Sequence, residues 1–143
     1  MSQLRHDTSS FRILYSQIKG GWEIKTKILF VCSGNRDRSP TAETLYRGNP
    51  NLEVESAGIS PYADTRLTEP LIRWADIVVV MENAHEVYIR DRYPEAAAKP
   101  LFCLNIQDRY RFMDSALANL IEQKMKPILE RCLKTEYSSR TDK

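Results

Sequence analysis

The chain has 143 residues, enough for one domain with a buried core, and 42% of them are hydrophobic, as in ordinary globular domains. Its net charge of +2, with acidic and basic residues interleaved, argues against a nucleic-acid-binding protein. The apolar runs are too short to cross a membrane, so we expect no membrane partner.

The three cysteines form no CxxC pair, and the two histidines are isolated from any metal-ligand spacing. An odd number of unpaired cysteines fits a reducing compartment better than a disulfide framework. No secretory signal is visible at the N-terminus. We therefore expect a cytoplasmic protein that needs no metal or other cofactor.

Residues 1–26 precede the first predicted strand and form an N-terminal extension. Phe11, Leu14, Tyr15 and Ile18 recur with the spacing of one helix face, which predicts a short amphipathic helix. We expect this helix to dock loosely on the domain, and a partner-binding or self-association helix is the alternative.

Strands alternate with helices over residues 27–135. Short apolar runs predict four strands, at residues 27–31, 52–54, 77–81 and 101–106. Helical patterns lie between and after them, at residues 40–47, 68–74, 83–92 and from Asp114 onward. This alternation predicts an α/β domain with a parallel sheet, in which ligands bind at the carboxyl ends of the strands.

The last helix is predicted by an apolar stripe. Its members are Leu117, Leu120, Ile121, Met125, Ile128, Leu129 and Cys132. Pro127 is expected to kink or split this helix, because proline cannot donate the internal hydrogen bond. Cys103 and Cys132 are interpreted as small core residues. A polar tail is predicted at residues 136–143.

The most informative segment joins the first strand to the first helix. Cys32 follows the buried strand, Gly34 and Asn35 tolerate unusual backbone angles, and Ser39-Pro40 predicts a helix start. Backbone N–H groups of such a loop bind anions and favour the thiolate form of a cysteine. Arg38 can grip two phosphate oxygens at once. The pattern predicts a cysteine nucleophile aimed at a bound phosphate.

This segment, Cys-Ser-Gly-Asn-Arg-Asp-Arg-Ser-Pro, resembles the phosphate loop of the low-molecular-weight protein tyrosine phosphatases. The resemblance extends from about residue 27 to the last helix. It implies a three-layer fold with a four-stranded parallel sheet flanked by helices, and a two-step hydrolysis through a phosphocysteine without metal. The phosphate-binding residues that it implies are Ser33, Gly34, Asn35, Arg36, Asp37, Arg38 and Ser39.

The resemblance also implies individual roles. Cys32 is the expected nucleophile, Arg38 the expected phosphate clamp, and the Ser39 hydroxyl the expected donor to the thiolate. Asn35 is expected to support the loop by bonding to Ser56, which begins a Ser-Ala-Gly segment that the family also has.

A general acid must protonate the leaving oxygen. The family uses the aspartate of an Asp-Pro-Tyr turn after the fourth strand, and this chain has Asp-Arg-Tyr there, so Asp108 is the predicted acid. Asp91 begins the same tripeptide but lies late in a predicted helix. Asp114 is the second choice, although a helix cap is its simpler role. Tyr62 and Tyr110 are expected to line the substrate cleft.

Three departures from the family pattern affect these expectations. Asp37 stands where the family often has a second cysteine, and its charge must point outward or weaken anion binding. The acid turn lacks proline. The segment between Gly58 and Ala75 is shorter than usual, which removes part of one cleft wall.

The sequence thus predicts a cysteine-dependent hydrolase of phosphotyrosine or a similar aryl phosphate, with a phosphorylated protein or small aryl phosphate as its partner. A catalytically weak phosphate or phosphotyrosine reader is the alternative. A thiol-dependent arsenate reductase is a weaker one, because residues 81–85 after the third strand contain no cysteine.

Overall fold

The computed structural model describes residues 25–141, with side chains described up to residue 132. The predicted N-terminal helix lies outside these residues, so the extension at residues 1–26 stays a prediction. No helix in the described part of the chain combines the length and hydropathy needed to cross a membrane.

Strands and helices alternate along the described chain. The strands are β1 (Thr26–Cys32), β2 (Leu52–Gly58), β3 (Ile77–Val80) and β4 (Leu101–Cys103). The helices are α1 (Arg38–Tyr46), α2 (Glu69–Trp74), α3 (Asn83–Arg92) and α4 (Ser115–Thr141), with a 3-10 turn at Pro94–Ala98. The strands form one sheet in the order β2-β1-β3-β4, and every neighbouring pair is parallel.

Alternate residues of β1 point to two separate hydrophobic cores. Ile28 and Phe30 face α1 and the apolar stripe of α4, whereas Leu29 and Val31 face α2 and α3. All four side chains are fully buried. This explains why the strand is a continuous apolar run, and it confirms the predicted fold of a parallel sheet with helices on both faces.

The start of α1 differs from the prediction. The helix begins at Arg38 with Asp37 as its N-cap, so Ser39 does not cap it and Pro40 is not its first residue. The reason is that the Ser39 hydroxyl is engaged by the Cys32 thiol and the Asn35 amide instead. Proline is tolerated in this first turn because the backbone N–H groups there have no partner inside the helix.

The fourth strand and the last helix also differ in extent. β4 ends at Cys103 rather than at residue 106, because Asn105 adopts a left-handed conformation with φ 57°. The predicted division of the last helix does not occur, since α4 continues through Pro127. Asp114 caps α4 as predicted, with its Oδ1 accepting from the Ala116 N–H at 2.8 Å.

Candidate active site

Cys32 ends β1 and opens the loop to α1. Its side chain is 2% exposed, and its sulfur lies 3.0 Å from Ser39 Oγ and accepts from the Asn35 backbone N–H at 3.3 Å. The carbonyls of Cys32, Ser33 and Gly34 are occupied by backbone donors from the 59–64 segment. The carbonyl groups of these three residues are therefore already paired, while the Asn35 backbone N–H donates to the Cys32 sulfur.

Asn35 sets the hydrogen-bond directions of this loop. Its backbone has φ 55°, a left-handed conformation that asparagine accepts more readily than most residues. Gly34 does not adopt this left-handed conformation. The Thr65 N–H donates to Asn35 Oδ1 at 3.1 Å, so the amide nitrogen must face the other way. That nitrogen donates to Ser39 Oγ at 3.0 Å and to Ser56 Oγ at 2.9 Å.

The Ser39 hydroxyl accepts a hydrogen bond from the Asn35 amide and lies 3.0 Å from the Cys32 sulfur, a contact in which either group can donate. The other acceptor within reach of the hydroxyl, the Ala57 carbonyl, is more distant at 3.4 Å. Ser56 in turn donates to Glu43 Oε1 at 2.6 Å. A chain of hydrogen-bonding groups thus runs from Asn35 through Ser39 to the Cys32 sulfur.

Arg38 is held from two sides. Its side chain is 1% exposed, and Nη1 donates to the Ile106 carbonyl at 2.7 Å and to Glu82 Oε2 at 2.5 Å. Its Nη2 lies 3.7 Å from Asp108 Oδ2. The guanidinium is therefore positioned before any substrate arrives, which reduces the ordering needed to bind a phosphate.

A pocket of about 200 Å³ opens over the thiol. Its lining consists of Cys32, Gly34, Arg36, Asp37, Arg38 and Asp108. Asp108 lies in the turn after β4, and its side chain is 64% exposed. The pocket brings together a thiol, a guanidinium and a carboxyl group, which are the groups needed to attack, hold and protonate a phosphate ester.

The structure separates the other candidate acids from this pocket. Asp91 lies in α3 and is exposed, and Asp114 caps α4. Asp37 is half-buried and belongs to the lining of the pocket. Of the two outcomes expected for Asp37, weaker anion binding is the one that this placement favours.

Neither predicted aromatic side chain lines the pocket. Tyr62 is 83% exposed, and Tyr110 is half-buried against the core on the α4 side of the sheet. The rim nearest Tyr62 is formed by Arg36, whose Nε donates to Asp64 Oδ1 at 3.2 Å and whose Nη2 donates to the Tyr62 carbonyl at 3.4 Å. The cleft roles of the two tyrosines stay predictions.

Three residues of this region make contacts that the sequence does not predict. Glu43 supports Ser56, Glu82 holds Arg38, and His85 contacts Ser33 across the start of α3. Burial and neighbouring charge of Arg38 lower the pKa of His85 from 6.5 to about 4, against a smaller opposing effect of Glu82 and Asp108. The sequence signal was a helix-start pattern at residues 82–85, which does not reveal contacts to a loop so distant in the chain.

Among the residues that the structure describes, no group of three or more His, Cys, Asp or Glu could hold a metal ion. No family model matches the sequence. Several relatives do match, among them two phosphatases. A protein-arginine-phosphatase of Geobacillus stearothermophilus is 32% identical over 97 residues, which cover 51% of this chain and 66% of the relative. The low molecular weight protein-tyrosine-phosphatase Ptp of Acinetobacter johnsonii is 32% identical over 96 residues, which cover 50% of this chain and 68% of the relative.

Solved structures of similar fold lead to the same two kinds of phosphatase. The tyrosine phosphatase Wzb of Escherichia coli K30 in complex with phosphate has 30% identity and a TM-score of 0.63, covering 76% of this chain and 99% of that one. The YwlE arginine phosphatase of Geobacillus stearothermophilus has 26% identity and a TM-score of 0.58, covering 76% of this chain and 96% of that one.

Proposed function

The chain belongs to the low-molecular-weight protein-tyrosine-phosphatase family, and from this premise we propose that it hydrolyses phosphotyrosine in proteins, or a similar aryl phosphate, through a phosphocysteine. The observation that carries the proposal is the pocket in which the Cys32 thiol, the Arg38 guanidinium and the Asp108 carboxyl group meet. A cytoplasmic location, with a reduced Cys32, is part of the same proposal.

In the first step the Cys32 thiolate attacks phosphorus. A sulfur–phosphorus bond forms as the bond from phosphorus to the ester oxygen breaks, and the protonated Asp108 carboxyl group gives its proton to that oxygen. Arg38 and the loop N–H groups hold the three non-bridging oxygens during the transfer. Support comes from the buried thiol, the pre-positioned guanidinium and the partly exposed carboxyl group facing one pocket.

In the second step water attacks the phosphorus of the phosphocysteine. The Asp108 carboxylate, now deprotonated, takes a proton from this water, and the sulfur leaves as a thiolate. Ser39 stabilises the leaving sulfur, because its hydroxyl accepts a hydrogen bond from the Asn35 amide and lies 3.0 Å from Sγ, where it can donate to the thiolate. Inorganic phosphate then departs and the starting enzyme is restored.

Phosphoarginine is the second candidate substrate. Two relatives are named protein-arginine-phosphatases, and the described lining of the pocket has four charged side chains and no aromatic one. Asp37 and Asp108 are both in that lining, so two carboxyl groups are available to a positively charged guanidinium leaving group. Parallel turnover of a phosphotyrosine peptide and a phosphoarginine peptide by the same preparation decides between the two.

The test of the reaction itself uses a generic aryl phosphate. We expect Cys32→Ser to abolish turnover, while Asp108→Asn lowers kcat by about 10²–10⁴ and leaves inhibition by inorganic phosphate nearly unchanged. Asp114→Asn, which changes a helix cap outside the pocket, is the matched control and should retain kcat. Turnover that survives in Cys32→Ser would exclude the proposal, and a larger loss in Asp114→Asn would move the acid role away from Asp108.

The same measurements separate the two alternatives. Binding of vanadate with no Cys32-dependent turnover of any phosphate ester would identify a phosphate reader. Thiol-dependent reduction of arsenate would identify an oxyanion reductase.

A further inference from the structure

His85 is a buried histidine in the first turn of α3 that contacts the phosphate loop. Its side chain is 1% exposed, and both ring nitrogens have partners. Nδ1 lies 2.9 Å from the Glu82 backbone nitrogen, and Nε2 lies 3.0 Å from Ser33 Oγ. Ser33 directly follows Cys32, so this ring lies one residue away from the nucleophile.

These two contacts determine the tautomer. A backbone N–H can only donate, so Nδ1 must be the acceptor for Glu82 and carry no proton. In a neutral ring the proton then resides on Nε2, which donates to the Ser33 hydroxyl oxygen. A doubly protonated ring would place two donors against each other at Nδ1.

We propose that His85 is a positioning residue of the phosphatase reaction, whose Nε2–H fixes Ser33, and with it the start of the phosphate loop, against the first turn of α3. This inference rests on the proposed function. The bond joins the loop to the helix through one donor and one acceptor, so a change at either end should remove the same interaction.

The same helix turn also holds the opposite end of the loop. Glu82 is the N-cap of α3, and its side chain accepts from the His85 backbone N–H as well as from Arg38. His85 and Glu82 thus form a reciprocal capping box whose outer atoms reach Ser33 and Arg38 respectively. The separation between Ser33 and Arg38 is consequently set by the Glu82–His85 capping box.

Loss of this bond should affect the chemical step more than binding. Phosphate affinity depends on Arg38 and the loop N–H groups, whereas attack depends on the placement of the sulfur. Because misplacement by about 1 Å can cost up to roughly 100-fold in rate, we expect kcat to fall about tenfold or more and inhibition by phosphate to change less than threefold.

Two substitutions at His85 separate the acceptor role of Nδ1 from the donor role of Nε2. In His85→Asn the side-chain oxygen can replace Nδ1 as the acceptor for the Glu82 N–H, but no donor reaches Ser33. In His85→Gln the longer side chain can bring an amide N–H to the position of Nε2. We expect His85→Asn to keep most of its thermal stability and lose kcat, and His85→Gln to recover part of that kcat.

The pair Ser33 and His85 supplies the decisive cycle. Ser33→Ala should lower kcat to a similar extent as His85→Asn, and the double variant should be no worse than either alone, because all three lack the same bond. Glu86→Gln is the control on the same helix, since Glu86 accepts from Arg90 on the outer side at 2.9 Å. It should leave kcat unchanged.

Two results would overturn the proposal. One is a kcat of folded His85→Asn within twofold of the wild type, and the other is additive losses in the double variant. Ser33→Ala removes the same hydrogen bond by changing the loop residue, so the proposal can still be tested if a His85 variant folds poorly. Failure of the proposed function is seen separately, as absence of Cys32-dependent turnover in the unmodified protein.

Discussion

Asp37 is a half-buried carboxylate in the wall of the pocket that contains the Cys32 thiol. It is the N-cap residue of α1, yet its side chain makes no capping hydrogen bond. Arg36 and Arg38 beside it are already paired with Asp64 and Glu82. Asp37 therefore lies beside any anion that binds in the pocket, and its charge should repel a phosphate dianion more than a monoanion.

We expect Asp37→Asn to strengthen inhibition by inorganic phosphate about tenfold at pH 7.5, since removing a nearby like charge in a partly buried site contributes on the order of 1 kcal/mol or more. The inhibition constant against an aryl phosphate measures this directly. Asp91→Asn makes the same change on the exposed part of α3 and should leave the constant unaltered. Equal effects of both variants would mean that net charge, rather than the pocket, is responsible.

At the scale of elements, the end of β2 packs directly beneath the phosphate loop. A Cβ added to Gly58 would lie 2.4 Å from the Ser33 carbonyl oxygen and 2.9 Å from the Asn35 backbone nitrogen. Both are main-chain atoms of the loop, so a larger residue could be accommodated only if the loop moved. Glycine is required here by this close approach.

Gly58→Ala should consequently lower both activity and stability. We expect kcat to fall at least tenfold and the free energy of unfolding to drop by about 1–3 kcal/mol, as for overpacked sites in protein cores. Denaturant unfolding and aryl phosphate turnover measure the two effects. Gly48→Ala provides the control, because a Cβ at Gly48 would meet no atom within 4 Å. A normal kcat in Gly58→Ala would show that the loop tolerates displacement.

The region of β4 shows which structural features an apolar sequence pattern predicts and which it does not. The hydrophobic run at residues 101–106 predicts one strand, and Leu104 and Ile106 are indeed buried. Their backbone N–H groups still bond to β3 and the residue after it, but Asn105 turns the chain between them. The turn brings the Ile106 carbonyl to Arg38. The apolar pattern thus predicts burial correctly, whereas the bend depends on the backbone angle of Asn105 alone.

For the whole molecule, short apolar runs predict the parallel sheet, since burial of a strand on both faces leaves a clear trace in the sequence. The contacts of Glu43, Glu82 and His85 could not be predicted in the same way. Each is a polar side chain that joins segments far apart in the chain, and its partner is decided only by how α1, α3 and β2 pack around the loop. In the sequence alone, ordinary helix patterns explain these three residues equally well, without contacts to an active site.

His85 also makes global stability depend on pH. Its pKa is about 4 in the folded protein, because burial and the charge of Arg38 disfavour the protonated ring, against about 6.5 in the unfolded chain. Between these values the unfolded state binds more protons. The contribution of neutral His85 is therefore fully present above pH 6.5 and is lost as the pH falls toward 4, by on the order of 2–3 kcal/mol.

Carboxyl groups titrate in the same range, so the useful quantity is the difference between wild type and His85→Asn. Denaturant unfolding from pH 7.5 to 4.0 should show a steeper loss of stability in the wild type, because asparagine does not titrate. Parallel curves for the two proteins would mean that the buried ring does not couple protonation to folding.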